Sequence, residues 1–444
     1  MYNAFYNVLV LILPLLTAPY ISRIMGAERI GIYSYSYSYS VASYFGLFIS
    51  LVLSNYGNRT IAGVRHNKER LSRTFWSIYT MQLLMAGIVI AIYIIYIIIL
   101  ASNKLMASIQ LIYLLSVAID TNCFFFGLEQ FKLTVTRNII LKILNVFLIF
   151  LLVKNKDDLY LYGLIMVIGP LLEQCILWRF LSRYISFEKI NFKEVTAHII
   201  PNLILFVPVI AVSLYTIMDR IMLGLMSNMM EVGYYENANK LTSIPTMAIT
   251  TLGTVMLPRI ISHLAAIGKN DETKKYLQKS LLLSVFLSSS LAFGISGVSK
   301  EFVPLFYGSG FDKCSELIPI LVMSSIFIPF ANVIRTQYLI LYKQDKIYII
   351  SVFMGAGINM IINALLIPHI QSIGAAIGIL IAEFTVCVYQ CYRVRKEIPV
   401  SQYARQGLPL LFSGIIMYLI ITHISLDLFV MLSLFIKVII GAVI

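Results

Sequence analysis

Two arginines bracket a stretch crowded with hydroxyls near the start of the chain. In residues 17–59, TAPYISRIMGAERIGIYSYSYSYSVASYFGLFISLVLSNYGNR, Arg23 and Arg59 lie toward the two ends. Between them come Tyr33, Ser34, Tyr35, Ser36, Tyr37, Ser38, Tyr39, Ser40, Ser43 and Tyr44. A guanidinium stays charged and presents a fork matched to phosphate oxygens. Hydroxyls donate and accept, and tyrosine rings stack, so Tyr35 and Tyr39 suit a glycan. The same chemistry recurs later. Tyr235, Asn237, Asn239 and Lys240 are crowded together, Arg220 precedes them, and Arg335 lies in IPFANVIRTQYLILY beside Asn332, Thr336 and Gln337. Carboxylates at Asp120, Glu173, Glu236 and Glu383 fall inside apolar runs. An ionisable group at mid-membrane costs about 2.5–3.5 kcal/mol even on the lenient insertion scale, so these should face protein or a cavity and are candidates for ion coupling or gating. Blander readings stand beside these. The YSYSYSYS run could be a polar seam between helices. Glu236 and Lys240, spaced i,i+4, could simply cancel charge. Asp219 and Arg220 read equally well as interfacial residues. Lys437, near the end of the chain, reads as having no functional role.

Other chemistries are excluded more firmly. The five cysteines (Cys123, Cys175, Cys314, Cys387, Cys391) lack metal-ligand spacing. There is no P-loop, His-Glu-x-x-His or Gly-x-Ser-x-Gly. No metal site, cofactor or enzyme active site is expected.

The elements that must position these residues are membrane helices. Of 444 residues, 59% are hydrophobic and 12% charged, about half the charge of a soluble domain. Apolar runs are continuous, as in residues 86–100, rather than alternating, which selects helices over a barrel. The pattern predicts an all-α polytopic membrane protein with about fourteen transmembrane helices, over 2–22, 30–56, 75–100, 105–127, 133–153, 159–180, 197–218, 232–257, 279–298, 315–341, 347–367, 372–392, 407–424 and 428–444. The net charge of +13 sits in short loops, where it is a topology signal rather than a nucleic-acid surface. Basic residues such as Arg65, Arg70, Arg73, Arg183, Lys189, Lys274 and Arg395 gather on alternate loops, placing the N-terminus in the cytoplasm. The N-terminus, MYNAFYN, has no basic n-region and no cleavage site, so the first span should be retained. No loop is long enough for a separate domain, so the helices themselves must carry the function.

The chain also repeats. Arg23-Ile-Met-Gly26 matches Arg220-Ile-Met-Leu-Gly224, and Ile30-Gly31-Ile32-Tyr33 matches Val232-Gly233-Tyr234-Tyr235. Glu173 answers Glu383, and Asn145 answers Asn359. Six spans separate the copies, which predicts two parallel six-helix lobes around a central cavity. The expected division is 1–196, 197–400, and an extra helix pair in 401–444.

The blocks APYISRIMG (18–26), GIYSYSYS (31–38), SNYGNR (54–59), SRTFWSIY (72–79), MDRIMLG (218–224), MLPRI (256–260), FYGSGF (306–311), NMIINALLIP (359–368) and IGAAIGILIAE (373–383) resemble the Wzx-type polysaccharide-repeat-unit flippases. These belong to the multidrug/oligosaccharidyl-lipid/polysaccharide exporter superfamily. The resemblance runs in order through both lobes. It implies a V-shaped bundle with a cationic cavity in the bacterial plasma membrane. The implied substrate is undecaprenyl-pyrophosphate-linked oligosaccharide, moved to the outer leaflet by alternating access for capsule, exopolysaccharide or O-antigen assembly. Polysaccharide polymerase machinery is the implied partner alongside membrane lipids. Related lipid II flippases place essential arginines in their first helices, where Arg23 and Arg59 occupy similar positions. A lipid II flippase is therefore the nearest alternative. A drug antiporter would need a net acidic cavity, and a polymerase would need a long external loop.

Overall fold

Breaks in the apolar pattern coincide with polar caps or unusual backbone angles, and these divide the chain into helices. The computed structural model describes residues 2–36, 40–51, 53–243, 245–246, 271–339, 342, 344–424 and 430–443. The first helix, α1 (Tyr2–Ser36), changes direction at Gly26, whose φ of 72° is one that a residue without a Cβ adopts readily. The expected second span is then interrupted: α2 (Val41–Ser50) ends at left-handed Leu51, and α3 (Leu53–Val64) resumes beyond it. Asn67 caps α4 (Lys68–Ile99) by accepting from Arg70 N, and Asn103 caps α5 (Lys104–Ala118) by accepting from Met106 N. There follow α6 (Asn122–Gly127), α7 (Phe131–Leu152), α8 (Leu159–Leu181), α9 (Phe192–Ala197), α10 (Ile199–Thr216), α11 (Met218–Met226) and α12 (229–243). Then come α13 (Asp271–Tyr307), α14 (Asp312–Ile334), a π-turn over Arg335–Leu339, α15 (Asp345–Val394), α16 (Val400–His423) and α17 (Val430–Val443).

Nine helices among the described residues are long and apolar enough to cross a membrane, with two shorter apolar helices at Val41–Ser50 and Val430–Val443. The sequence-based figure of about fourteen counts differently. The second expected span is split at Leu51. The later part of the eighth, from 247, lies outside the described residues, as do Arg259 and MLPRI. The eleventh and twelfth are fused in α15, whose 50 residues amount to about 75 Å at 1.5 Å per residue, against a hydrocarbon core of about 30 Å. Gln371, at φ 54° and ψ −127°, breaks α15 between the two. The chain is a multi-pass all-α membrane protein. Its lipid-facing stripes are plain on α4, where Ile88, Ile92, Ile95 and Ile99 are exposed at helical spacing.

Packing groups the chain into two compact units, Met1–Ile221 and Met222–Ile444. In unit 1, Ile49, Tyr93 and Leu114 form one core, and Phe75, Tyr79, Phe124, Phe125 and Leu177 form another. Helix α10, which follows the division expected at 196, packs with this unit: it contacts α3 and α9, and Phe206 meets Leu51; the boundary between the units falls within α11. The segment before α10 is tied to α4. Trp76 Nε1 donates to Ser186 O (2.9 Å), and Arg73 forks onto Glu194 at 2.6 and 2.9 Å, holding that carboxyl below its ordinary range. In unit 2, Leu281, Val333, Leu339, Val394 and Tyr403 form one core, and Phe293, Met417 and Ile421 join α13 to α16 in another.

One packing device recurs in each unit. A Cβ on Gly169 of α8 would lie 2.2 Å from Asn145 Nδ2 of α7; a Cβ on Gly378 would lie 2.1 Å from Asn363 Oδ1 and 3.4 Å from Asn359 Nδ2. Each glycine lies about one turn before the repeat glutamates Glu173 and Glu383.

Candidate functional site

In unit 1 the 17–59 stretch sorts into two environments. Arg23 and Arg59 are exposed. Tyr33, Ser34 and Ser40 are buried: Tyr33 packs edge-on against Tyr162 with centroids 4.7 Å apart, and Ser40 Oγ donates to Ser34 O (2.7 Å). These three form part of a seam between helices. Tyr35 is half-buried, and Tyr44 Oη donates to Ser213 O (2.8 Å). Tyr39 lies outside the described residues, with Tyr37 and Ser38. Arg220, read at the sequence level as a lining or interfacial residue, is buried with Asp219, and its Nη1 donates to Thr216 O (2.6 Å).

The carboxylates Asp120 and Glu173 are brought together by an arginine at the start of the fifth expected span. Arg137 of α7 is only 5% exposed. Its Nη1 donates to Glu173 O (2.6 Å), its Nη2 to Asn122 Oδ1 (3.1 Å) and its Nε to Asn138 Oδ1 (2.9 Å), and Nη2 lies 3.9 Å from the Glu173 carboxylate. Asn122 completes the relay by donating through Nδ2 to Asp120 Oδ1 (2.8 Å), which also accepts Asn122 N (2.7 Å). The α5–α6 break is braced around it: Gln82 Nε2 donates to Val117 O, Trp178 Nε1 to Ile119 O, and Thr121 N to Gln174 Oε1. A small void bounded by Tyr79, Gln82, Asp120 and Cys123 opens beside Asp120. The arrangement is two carboxylates held about one guanidinium through an amide, a network whose members satisfy one another.

In unit 2 the polar residues of α12 fall on different depths. Tyr235, Glu236 and Asn237 are buried, while Asn239 and Lys240 are half-buried. Glu236 and Lys240 pair at 3.8 Å across one turn, as their spacing suggested. Tyr307 Oη donates to Asn237 O (2.8 Å), yet the Asn237 amide, 1% exposed, meets no hydrogen-bond partner among the described residues. A buried amide left so costs about 1–3 kcal/mol, which a ligand hydroxyl or water at that point would offset.

Arg335 opens the π-turn that ends α14, a distortion frequent at functional positions. Its Nη2 donates to Asn332 Oδ1 (2.5 Å) and its Nη1 to Tyr348 Oη (3.2 Å), and the guanidinium lies 5.2 Å from the centre of the Tyr348 ring. These partners are neutral, Nε is buried without one, and no ion pair compensates the charge among the described residues. Beside it, neither amide atom of Gln337 is bonded among the described residues. Glu383 is buried on α15. Among the described residues no group of three or more His, Cys, Asp or Glu is placed to hold a metal ion.

Sequence reasoning missed two further charged groups in unit 2, a cluster of Glu231, Lys313 and Ser372, and the pair Glu301–Lys437 (2.5 Å). Lys437, read as idle, is 3% exposed and ties α17 to α13. Their acidic members lie at span ends, where a lone carboxylate reads as a loop residue.

Comparison with known proteins places this geometry. The model of a family described as "Polysaccharide biosynthesis protein" matches residues 1–263, more than half of the chain. A protein assigned as an O-antigen transporter in Escherichia coli (strain K12) is 22% identical over 394 residues, covering 87% of this chain and 93% of that protein. A protein assigned as the low-salt glycan biosynthesis flippase Agl15 of Haloferax volcanii is 23% identical over 194 residues, 44% of this chain and 41% of that one. In fold, the chain is similar over its whole length to the lipid II flippase MurJ in an inward closed conformation (TM-score 0.71, 16% identity, 96% of that chain). It is also similar over 90% of its length to an inward-facing multidrug resistance MATE family transporter of the MOP superfamily (TM-score 0.60, 12% identity, 96% of that chain).

Proposed function

Because the chain belongs to the polysaccharide biosynthesis protein family, with a flippase fold and as a transporter rather than an enzyme, we propose that it flips undecaprenyl-pyrophosphate-linked oligosaccharide repeat units from the cytoplasmic to the outer leaflet of a bacterial plasma membrane. The observation that carries this reading is the family match combined with cationic and amide groups held inside an otherwise apolar helical body. Among the described residues Arg335 has no counter-charge, and Asn237 and Gln337 present buried amides that lack partners. A pyrophosphate needs charge-assisted donors, and a glycan needs groups that donate and accept.

In this reading the lobes are 1–196 and 197–400, with 401–444 as an added pair, and they alternate access to a shared passage. The N-terminus lies in the cytoplasm. Arg59 meets the incoming pyrophosphate at the cytoplasmic mouth, and Arg23 holds or releases it near the outer end. Arg220, Lys240 and Arg335 supply the remaining positive charge. Tyr35, Tyr39, Tyr235, Asn237 and Asn239 contact sugars, while the prenyl tail remains in lipid. The Asp120–Glu173 relay, with Glu236 and Glu383, couples or gates the switch, and a polymerase on the far side consumes the product. The relative assigned to O-antigen transport supports this substrate class. A cation-coupled drug antiporter would need the opposite cavity charge.

Deleting the gene should leave lipid-linked repeat units protected on the inner leaflet, measured by their accumulation and by the loss of surface polysaccharide. Arg23→Ala and Arg335→Ala should each restore export about tenfold less well than the wild-type gene, the loss expected when one charge-assisted hydrogen bond of about 1.5–3 kcal/mol is removed. Full export from both variants would remove the cationic-passage mechanism.

A further inference from the structure

The break at Gln371 in α15 is held from outside its own helix. Glu231, in the first turn of α12, is 5% exposed, and its two oxygens serve two different elements. Oε1 accepts from Lys313 Nζ of α14 at 2.6 Å. Oε2 accepts from Ser372 N at 3.2 Å and from the Ser372 hydroxyl. Lys313 Nζ donates in turn to Gln371 Oε1 at 3.0 Å. Ser372 is the first residue after the break, so the carboxylate sits on the N-terminus of the second half of α15, where unpaired N–H groups and the helix dipole favour an anion. Gln371 holds a positive φ of 54°, a conformation that costs about 1–3 kcal/mol in a residue with a side chain and persists only where its surroundings over-determine it.

The repeat gives this contact a counterpart. Aligning Gly31 with Gly233 puts Arg29 where unit 2 has Glu231, and Arg29 Nη2 lies 3.9 Å from Asp157 Oδ1, in the turn that precedes α8. In both units the start of the polar helix reaches the turn between the fifth and sixth spans of its own lobe. The sign is reversed, and only the unit 2 version is buried and multiply bonded.

We propose that Glu231 is a positioning residue: with Lys313 and Ser372 it clamps α12 to the Gln371 break and so fixes the register in which α12 presents Tyr235, Asn237, Asn239 and Lys240. Those residues begin one turn beyond Glu231, so a shift of the first turn moves them all. The proposal rests on the reading of α12 as substrate-lining. The carboxylate does two things at once: it neutralises Lys313, as any ion pair would, and it also accepts from a helix N-terminus. Lysine can do neither in its place.

The test uses the full chain in its native membrane, with Asn239→Cys as a maleimide reporter in a background where the native cysteines are serine. Export is followed in parallel in the otherwise wild-type chain. Glu231→Ala is expected to change the reporter's labelling rate about threefold or more and to lower export about tenfold. Glu231→Gln, which keeps an acceptor oxygen, should fall between. The exchanged pair Glu231→Lys with Lys313→Glu should not recover either readout, because it places a cation on the helix N-terminus. Recovery by the exchanged pair, or unchanged labelling and export in Glu231→Ala, would overturn the clamp. If Glu231→Ala fails to accumulate, Ser372→Ala removes a single hydroxyl and should move both readouts in the same direction by about threefold; no change there would overturn the clamp equally. Labelling needs no substrate, so altered labelling with normal export would support the clamp while removing the transport role of the α12 face.

Discussion

Arg137→Met should be among the most damaging single substitutions in the chain. It leaves the apolar volume of α7 roughly filled but strips the Glu173 carboxylate of the guanidinium 3.9 Å away, and Asn122 and Asn138 of the donors their oxygens accept. Removing one partner of a buried charged pair costs about 3–5 kcal/mol, because the other is left desolvated and uncompensated. The effect should appear as a lower amount of protein in the membrane and a faster loss of the folded form on heating in detergent. Adding Glu173→Gln should recover part of the loss by removing the stranded charge, whereas Glu173→Gln alone should cost less than Arg137→Met. A double-mutant cycle with no coupling between the two positions would mean that the network is not energetically joined. The consequence reaches function through position, since the same network holds Asn122 and, through it, Asp120.

Glu301→Ala should be comparably severe, for a reason that lies in the last helix. Lys437 points into the protein, 3% exposed, and pairs with Glu301 of α13 at 2.5 Å. Around it Gly441 lies close to Ile421 and Met417, so α13, α16 and α17 form one packed group. Without Glu301 a bare ammonium remains in an apolar seam, at a cost again of about 3–5 kcal/mol. Lys437→Met combined with Glu301→Ala should return close to wild-type stability, since replacing both ions by apolar groups avoids the desolvation that the pair must overcome. Thermal stability in detergent and protease protection of the C-terminal segment measure both outcomes. A Glu301→Ala protein as stable as wild type would show that the pair contributes nothing.

Much of this architecture was legible because membrane helices announce themselves through continuous apolar runs. The pairing of Glu236 with Lys240 was equally plain from their spacing. What the sequence hid was depth and partnership. Arg137 lies near the start of α7, and only the fold brings Glu173 of α8 alongside it. Glu301 and Lys437 are 136 positions apart, and no local pattern joins them. Every residue of the YSYSYSYS run carries a hydroxyl, so the sequence does not separate those that pack against protein from the rest. Tyr33, Ser34 and Ser40 are buried while Tyr35 is half-buried. The interruption at Leu51 escaped notice, because Leu51 is neither a glycine nor a proline, whereas the break at Gln371 falls between the expected spans 347–367 and 372–392. Arg335 stood out correctly as a charge within a span, but its neutral partners and the π-turn beneath it required the structure.

The central claim is that this chain carries a lipid-linked glycan across a bilayer. Its most direct measurement is headgroup accessibility in vesicles reconstituted with the purified full-length protein and an undecaprenyl-pyrophosphate-linked oligosaccharide, probed from outside by an impermeant sugar-modifying reagent. In protein-free vesicles the inward-facing half should remain protected. With the protein present, nearly all of the glycan should become accessible, more slowly with Arg335→Ala. Glycan that stays half-protected, while an organic cation crosses the same vesicles, would contradict the account.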